Sequence, residues 1–155
     1  MPKRLTYLVV ITCMLLTASC AEKHSGYSCF TSLPENGWVY GDSLVFQPSD
    51  LDSTDARNVY IAIRHTNDYP YSNLWLEINI CDSTSCHRDT LCMILADDFG
   101  RWNSKGIGPS KQFQMLLPGT ACISDSTRIS VRHIMRTDTL HGIEQVGVTV
   151  ETSHP

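Results

Sequence analysis

The chain has 155 residues and a formal net charge of −4, long enough for one domain with a proper core. Removing an N-terminal leader of residues 1–19 leaves 136 residues with 10 basic and 16 acidic side chains, a net charge of −6. An acidic surface without basic clusters argues against nucleic acid as a partner and against electrostatic docking on anionic lipid.

The leader sets the compartment. Lys3 and Arg4 form a positive head, Leu5 to Leu16 an apolar run, and Leu16-Thr17-Ala18-Ser19-Cys20 presents small residues before a cysteine. This is a secretory signal peptide, too short and wrongly flanked for a spanning helix. Cys20 sits as the acylated cysteine does in a bacterial lipobox, although Thr17 stands where leucine is usual and Leu16 lies one earlier. Plain secretion with cleavage near Ala18 or Ala21 is the competing reading. Each buried acyl methylene contributes about 0.8 kcal/mol, so two or three chains on Cys20 hold the protein firmly at a membrane. The expected organisation is a signal peptide at 1–19, a lipidated tether at 20–26, a β-sandwich domain at 27–151 and a tail at 152–155.

In chain order, Tyr27-Ser28-Cys29-Phe30 reads as a first strand stopped by Pro34-Glu35-Asn36-Gly37. Trp38–Tyr40 and Leu44–Phe46 form a second strand region broken by Gly41-Asp42-Ser43, and Pro48 to Asp55 is a polar loop with room for one helical turn. Val59, Ile61 and Ile63 then alternate with Tyr60, Ala62 and Arg64; after the bend Tyr69-Pro70-Tyr71-Ser72-Asn73, Leu74, Leu76, Ile78 and Ile80 alternate with Trp75, Glu77, Asn79 and Cys81. A period of two puts one face of each strand on a core. Leu91–Ala96 is a further strand, Asp97–Pro109 a glycine-punctuated loop, and Phe113–Leu117 a short strand ended by Pro118-Gly119. Ile129, Val131, His133 and Met135 mark another strand, Thr137–Gly142 a turn, and Val146, Val148 and Val150 the last strand. About eight short strands and no convincing helix predict an all-β fold, an antiparallel β-sandwich or jelly-roll-like barrel.

Five of the seven cysteines lie beyond the leader and Cys20: Cys29, Cys81, Cys86, Cys92 and Cys122. If Leu74–Cys81 and Cys86–Ala96 form a hairpin, keeping Leu91, Met93 and Leu95 on the core face requires paired residue numbers with an odd sum. A sum of 167 meets this and sets Cys81 opposite Cys86, a disulfide worth roughly 2 kcal/mol in the chain-entropy model. Cys81, Cys86, His87 and Cys92 as metal ligands lack zinc-knuckle spacing, and an exported chain meets oxidising conditions. No metal or cofactor is expected.

Sites of chemistry are sparse. Asp98-Phe99-Gly100 lacks the other parts of a kinase, no helix follows Gly106-Ile107-Gly108, and Asp97, Asp98 and Asn103 do not have EF-hand spacing. Ser43 and Ser72 have no nucleophile elbow or partner set. His65 and His133 fall on the apolar parity of their strands, as buried, hydrogen-bonded histidines do. Arg128, Arg132 and Arg136 share one strand face, to grip an acidic partner or to pair with nearby carboxylates. Tyr69, Tyr71, Trp75 and Trp102 suit stacking on sugar rings, binding a protein, or sealing the sandwich edge. Asp-(Ser/Thr)-(Leu/Thr) recurs, as at Asp82-Ser83-Thr84 and Asp89-Thr90-Leu91, which resembles a bacterial O-glycosylation sequon and equally describes turns leading into strands.

Three ordered motifs carry a family resemblance: Tyr69-Pro70-Tyr71-Ser72-Asn73-Leu74-Trp75; Gly100-Arg101-Trp102 to Gly106-Ile107-Gly108; and His133-Ile134-Met135-Arg136 leading to Leu140-His141-Gly142-Ile143-Glu144-Gln145-Val146-Gly147. Together they resemble the gliding-motility lipoprotein GldH family over nearly the whole mature chain. The resemblance implies a small non-enzymatic lipoprotein of the cell envelope, on the periplasmic side or the outer membrane, associated with the gliding machinery and its linked protein-secretion system. No catalytic residues are carried over. The expected contacts with other envelope proteins run through Tyr69, Tyr71, Asn73, Trp75, Arg101, Trp102 and Arg136, with surface glycan binding as the alternative.

Overall fold

The computed structural model describes residues 26–49, 51, 56–106, 108–118 and 121–152. The leader, Cys20 and the tether up to residue 25 lie outside the described residues, as do 153–155 and most of the polar loop before Ala56. Eleven antiparallel strands are formed among the described residues: β1 (Tyr27–Ser32), β2 (Trp38–Val39), β3 (Leu44–Phe46), β4 (Ala56–His65), β5 (Asn73–Cys81), β6 (Cys86–Ile94), β7 (Lys111–Leu116), β8 (Ala121–Cys122), β9 (Arg128–His133), β10 (Thr139–Leu140) and β11 (Ile143–Thr152). One sheet runs β1-β11-β4-β7, with β8 also on β4. A second runs β3-β9-β5-β6, and β2 and β10 pair on their own.

The alternation read from the sequence builds the core. Ile61 and Ile63 of β4, Leu74, Leu76 and Ile78 of β5, and Val146, Val148 and Val150 of β11 are fully buried and belong to one apolar cluster with Ile129 and Val131 of β9. Inward residues of both sheets share that cluster, so the sheets face each other as a sandwich. Truncating one of the larger aliphatics to alanine costs about 2–5 kcal/mol.

The β5–β6 hairpin keeps one register from Asn73↔Ile94 to Cys81↔Cys86. A disulfide joins Cys81 to Cys86. Between them, Asp82 accepts the backbone N–H groups of Thr84 and Ser85 at 2.6 and 2.7 Å. These donors, that of Thr84 first, hold the Asp82 carboxyl down at about 2.

Two expectations change. The strand region at Trp38–Phe46 divides between layers: β2 pairs with β10, inside the stretch expected to be a turn, while β3 joins β9. Gly41, at φ 96°, breaks the run, and the buried Trp38 donates its indole N–H to the Asp42 carbonyl at 3.0 Å. The strand carrying the three arginines is also shorter than expected: β9 ends at His133, so Arg136 lies in the loop beyond it, while Met135 is buried as its parity requires, its Sδ 3.4 Å from the Trp75 backbone nitrogen. Arg132 remains on the strand face and grips Glu77 with two hydrogen bonds of 2.9 and 3.0 Å.

Candidate functional site: an aromatic rim around His65

His65 closes β4, and its imidazole is completely buried. Nδ1 lies 2.9 Å from the Thr66 carbonyl, which only accepts, so Nδ1 carries the hydrogen and Nε2 accepts the Ser104 hydroxyl at 2.6 Å. Burial pushes its pKa below the usual histidine value, against the opposing pull of the Thr66 carbonyl. Trp102 packs at a tilt with 4.5 Å between ring centroids and Tyr69 likewise at 6.0 Å, and Ile143 pairs with His65 across the sheet. The three sequence motifs, far apart along the chain, meet around this one side chain.

Each motif is locked there by its own backbone. Tyr69 donates its hydroxyl to the Asn73 carbonyl at 2.8 Å, closing the bend. Gly142, at φ 84°, lies so close that an added Cβ would sit 2.7 Å from the Tyr69 backbone. Its carbonyl accepts Thr66 N–H at 2.8 Å. The Ser72 carbonyl accepts both Leu95 and Ala96 N–H groups, which ties the bend to the start of the 97–109 loop. In that loop Asp97 accepts the N–H groups of Phe99 and Arg101 on Oδ1 and the Arg101 guanidinium on Oδ2. Those bonds lower its pKa and commit the carboxylate to the turn rather than to a cation. Among the described residues, no group of three or more His, Cys, Asp or Glu side chains is arranged to hold a metal ion.

The contact residues expected from the sequence divide into two groups. Tyr69 is buried and Trp102 packs against the core, so both form the framework; Asn73 is half-buried beside them. Tyr71, Trp75, Arg101 and Arg136 reach solvent. The sequence reading missed Ile94 and Cys92. Trp75 faces Cys92 across the β5–β6 ladder, and Ile94 faces Asn73, so Trp75 and Ile94 are diagonal neighbours on the outer face, 42% and 49% exposed. The alternation of β6 already placed Ile94 outward, opposite in parity to Leu91, Met93 and Leu95. Phe99, in the 97–109 loop, is exposed at 84% with the Arg101 guanidinium 5.3 Å from its ring.

An all-β sandwich with an aromatic rim is the class these features define. The GldH lipoprotein family matches residues 25–150. The gliding motility lipoprotein GldH homolog of Christiangramia forsetii is 31% identical over 94% of both chains. The gliding motility lipoprotein GldH of Flavobacterium johnsoniae is 22% identical, covering 92% of this chain and 94% of its own. The chain belongs to the GldH lipoprotein family, which is linked to gliding motility, and is a membrane-anchored protein of the cell envelope. A tobacco streak virus coat protein dimer overlaps 88% of this chain and 91% of its own at 9% identity and a TM-score of 0.29, too remote to carry an argument.

Proposed function

We propose that the protein is a non-enzymatic binding or scaffold component of the envelope motility or protein-secretion apparatus, acting through protein–protein contacts at the rim. The observation that carries this is the exposed surface of Trp75, Ile94, Tyr71 and Phe99, held on a framework that His65, Tyr69 and Gly142 make rigid. Exposed aromatics on an ordered support are what protein interfaces use as anchors. Burial supports the non-enzymatic reading: the His65 ring is inside the fold, packed against Trp102, and its Nε2 is taken up by the half-buried Ser104 hydroxyl. Lipid on Cys20 would fix the domain at the membrane while the rim faces its partner. Photo-crosslinkers placed at Tyr71 and Trp75 in living cells test this. Capture of envelope proteins is the expected result; recovery of glycans alone would replace it with the glycan-binding alternative.

A further inference from the structure

A second surface lies on the other sheet, where a cleft of about 610 Å³ opens between β7 and the loop at 103–106. Its lining includes Arg64, Lys105 and Lys111 with Asn103, Gln112 and Gln114, and no carboxylate, on a chain whose overall charge is negative. Arg64 is oriented by neutral groups. Its Nε donates to Gln112 Oε1 at 2.9 Å, its Nη1 to Gln145 Oε1 at 2.6 Å, and its guanidinium lies 4.6 Å over the Phe30 ring. These contacts fix the fork without neutralising it and leave most of its five donors for an anion. The Lys111 ammonium is held nearby by the Gly106 carbonyl at 3.3 Å. The neighbouring carboxylate, Glu144, accepts the Ser110 hydroxyl at 2.6 Å and is not among the cleft residues.

Among the described residues, no strand pairs with the outer edge of β7 beside this cleft. Leu117 N–H bonds Val59 on β4, while Gln112 exchanges both backbone bonds with Lys105 on the opposite side. Backbone groups alternate sides in an antiparallel ladder. Those of Gln114 and Leu116 therefore point outward, where the sheet order ends at β7. The Lys105 loop and Lys111 guard the start of β7, but over Gln114 and Leu116 the strand has no proline, no bulge in its pairing with β4 and no charged side chain.

We infer that this edge accepts an extended acidic peptide segment of a partner protein, its backbone adding to β7 at Gln114 and Leu116 and a carboxylate entering the Arg64–Lys105–Lys111 cleft. Strand addition supplies sequence-independent bonds, and the guanidinium fork selects for acid. This surface is separate from the Tyr71–Trp75 rim, so its failure would leave the rim proposal standing.

The test uses the full chain, 15N-labelled in detergent micelles, titrated with acetyl-(Thr-Glu)4-amide, its (Thr-Gln)4 counterpart and oligogalacturonate. The expected result is that the glutamate peptide shifts the amides of Gln114 and Leu116 and the Arg64 side-chain signals, binding about tenfold or more tighter than the glutamine peptide. That preference should fall in Arg64→Gln and in the surface variant Lys105→Gln/Lys111→Gln. N-methylation of alternate peptide nitrogens should abolish the backbone shifts. Equal binding of the two peptides, no shift at Gln114 and Leu116, or binding by oligogalacturonate alone would overturn the inference.

Discussion

Ser104 gives its hydroxyl hydrogen to a histidine that has no access to water, and that 2.6 Å contact pins the 97–109 loop to the end of β4. Ser104→Ala leaves the buried Nε2 without a donor and should cost about 1–3 kcal/mol. The loss should appear first as faster amide exchange in residues 102–106, measured against the wild-type chain.

The same histidine makes stability depend on pH. Burial lowers the pKa of His65 and of His133, whose Nε2 donates to the Trp38 carbonyl at 3.1 Å. A depressed histidine binds fewer protons folded than unfolded, so its contribution is fully present above the unfolded value of about 6.5 and is lost as pH falls towards the folded value. The melting temperature should therefore drop between pH 7.5 and 5.5. The lowered carboxylates Glu77, Asp82 and Asp97 act only further down, near and below about 4. A flat melting profile above pH 5 would contradict this account.

Glycine 142 should be intolerant for two separate reasons. Its φ of 84° disfavours any side chain, and a Cβ would meet the Tyr69 backbone at 2.7 Å. Gly142→Ala should cost about 2 kcal/mol or more in chemical denaturation. Gly41→Ala is the control: φ is 96°, yet nothing lies within 4 Å, so only the backbone penalty of about 1 kcal/mol applies.

Framework and contact residues should separate experimentally. Tyr69→Phe removes the hydrogen bond to Asn73 and should cost about 1 kcal/mol of stability. Trp75→Ala on the exposed face should change stability by no more than about 0.5 kcal/mol while reducing crosslinked envelope protein. Loss of crosslinks with Tyr69→Phe alone, Trp75→Ala being silent, would reverse the assignment of roles.

The hairpin disulfide closes a short loop, and replacing both Cys81 and Cys86 by serine should cost roughly 2 kcal/mol. The Asp82 hydrogen bonds to Thr84 and Ser85 do not involve either sulfur, so the β5–β6 register should survive, visible as unchanged cross-strand contacts between Trp75 and Cys92.

Regular alternation made much of this readable. Strands β4, β5, β6, β9 and β11 follow from apolar residues at every second position, and the 167 register follows from parity once Cys81 is set opposite Cys86. The burial of His65 and His133 came from the same rule. What escaped had no local period. β2 and β10 are two residues each and exist because Trp38 and Leu140 bury beside each other. The end of β9 at His133, short of Arg136, is likewise not written in the alternation: Met135 keeps its expected inward parity but bonds the Trp75 backbone N–H, 60 positions away, through its sulfur. The motifs named the rim, but only tertiary packing shows that Tyr69 and Trp102 support it from within while Tyr71 and Trp75 face outward.

β11 also sets a distance. Val150 pairs with Tyr27, where the chain enters the fold, whereas Ile143 pairs with His65 at the rim. Seven residues at about 3.3 Å each separate the two by roughly 23 Å. Acylation at Cys20, as proposed, would put the Tyr27 end of the sandwich nearest the bilayer and would carry the aromatic surface and the basic cleft at the far pole, clear of the headgroups.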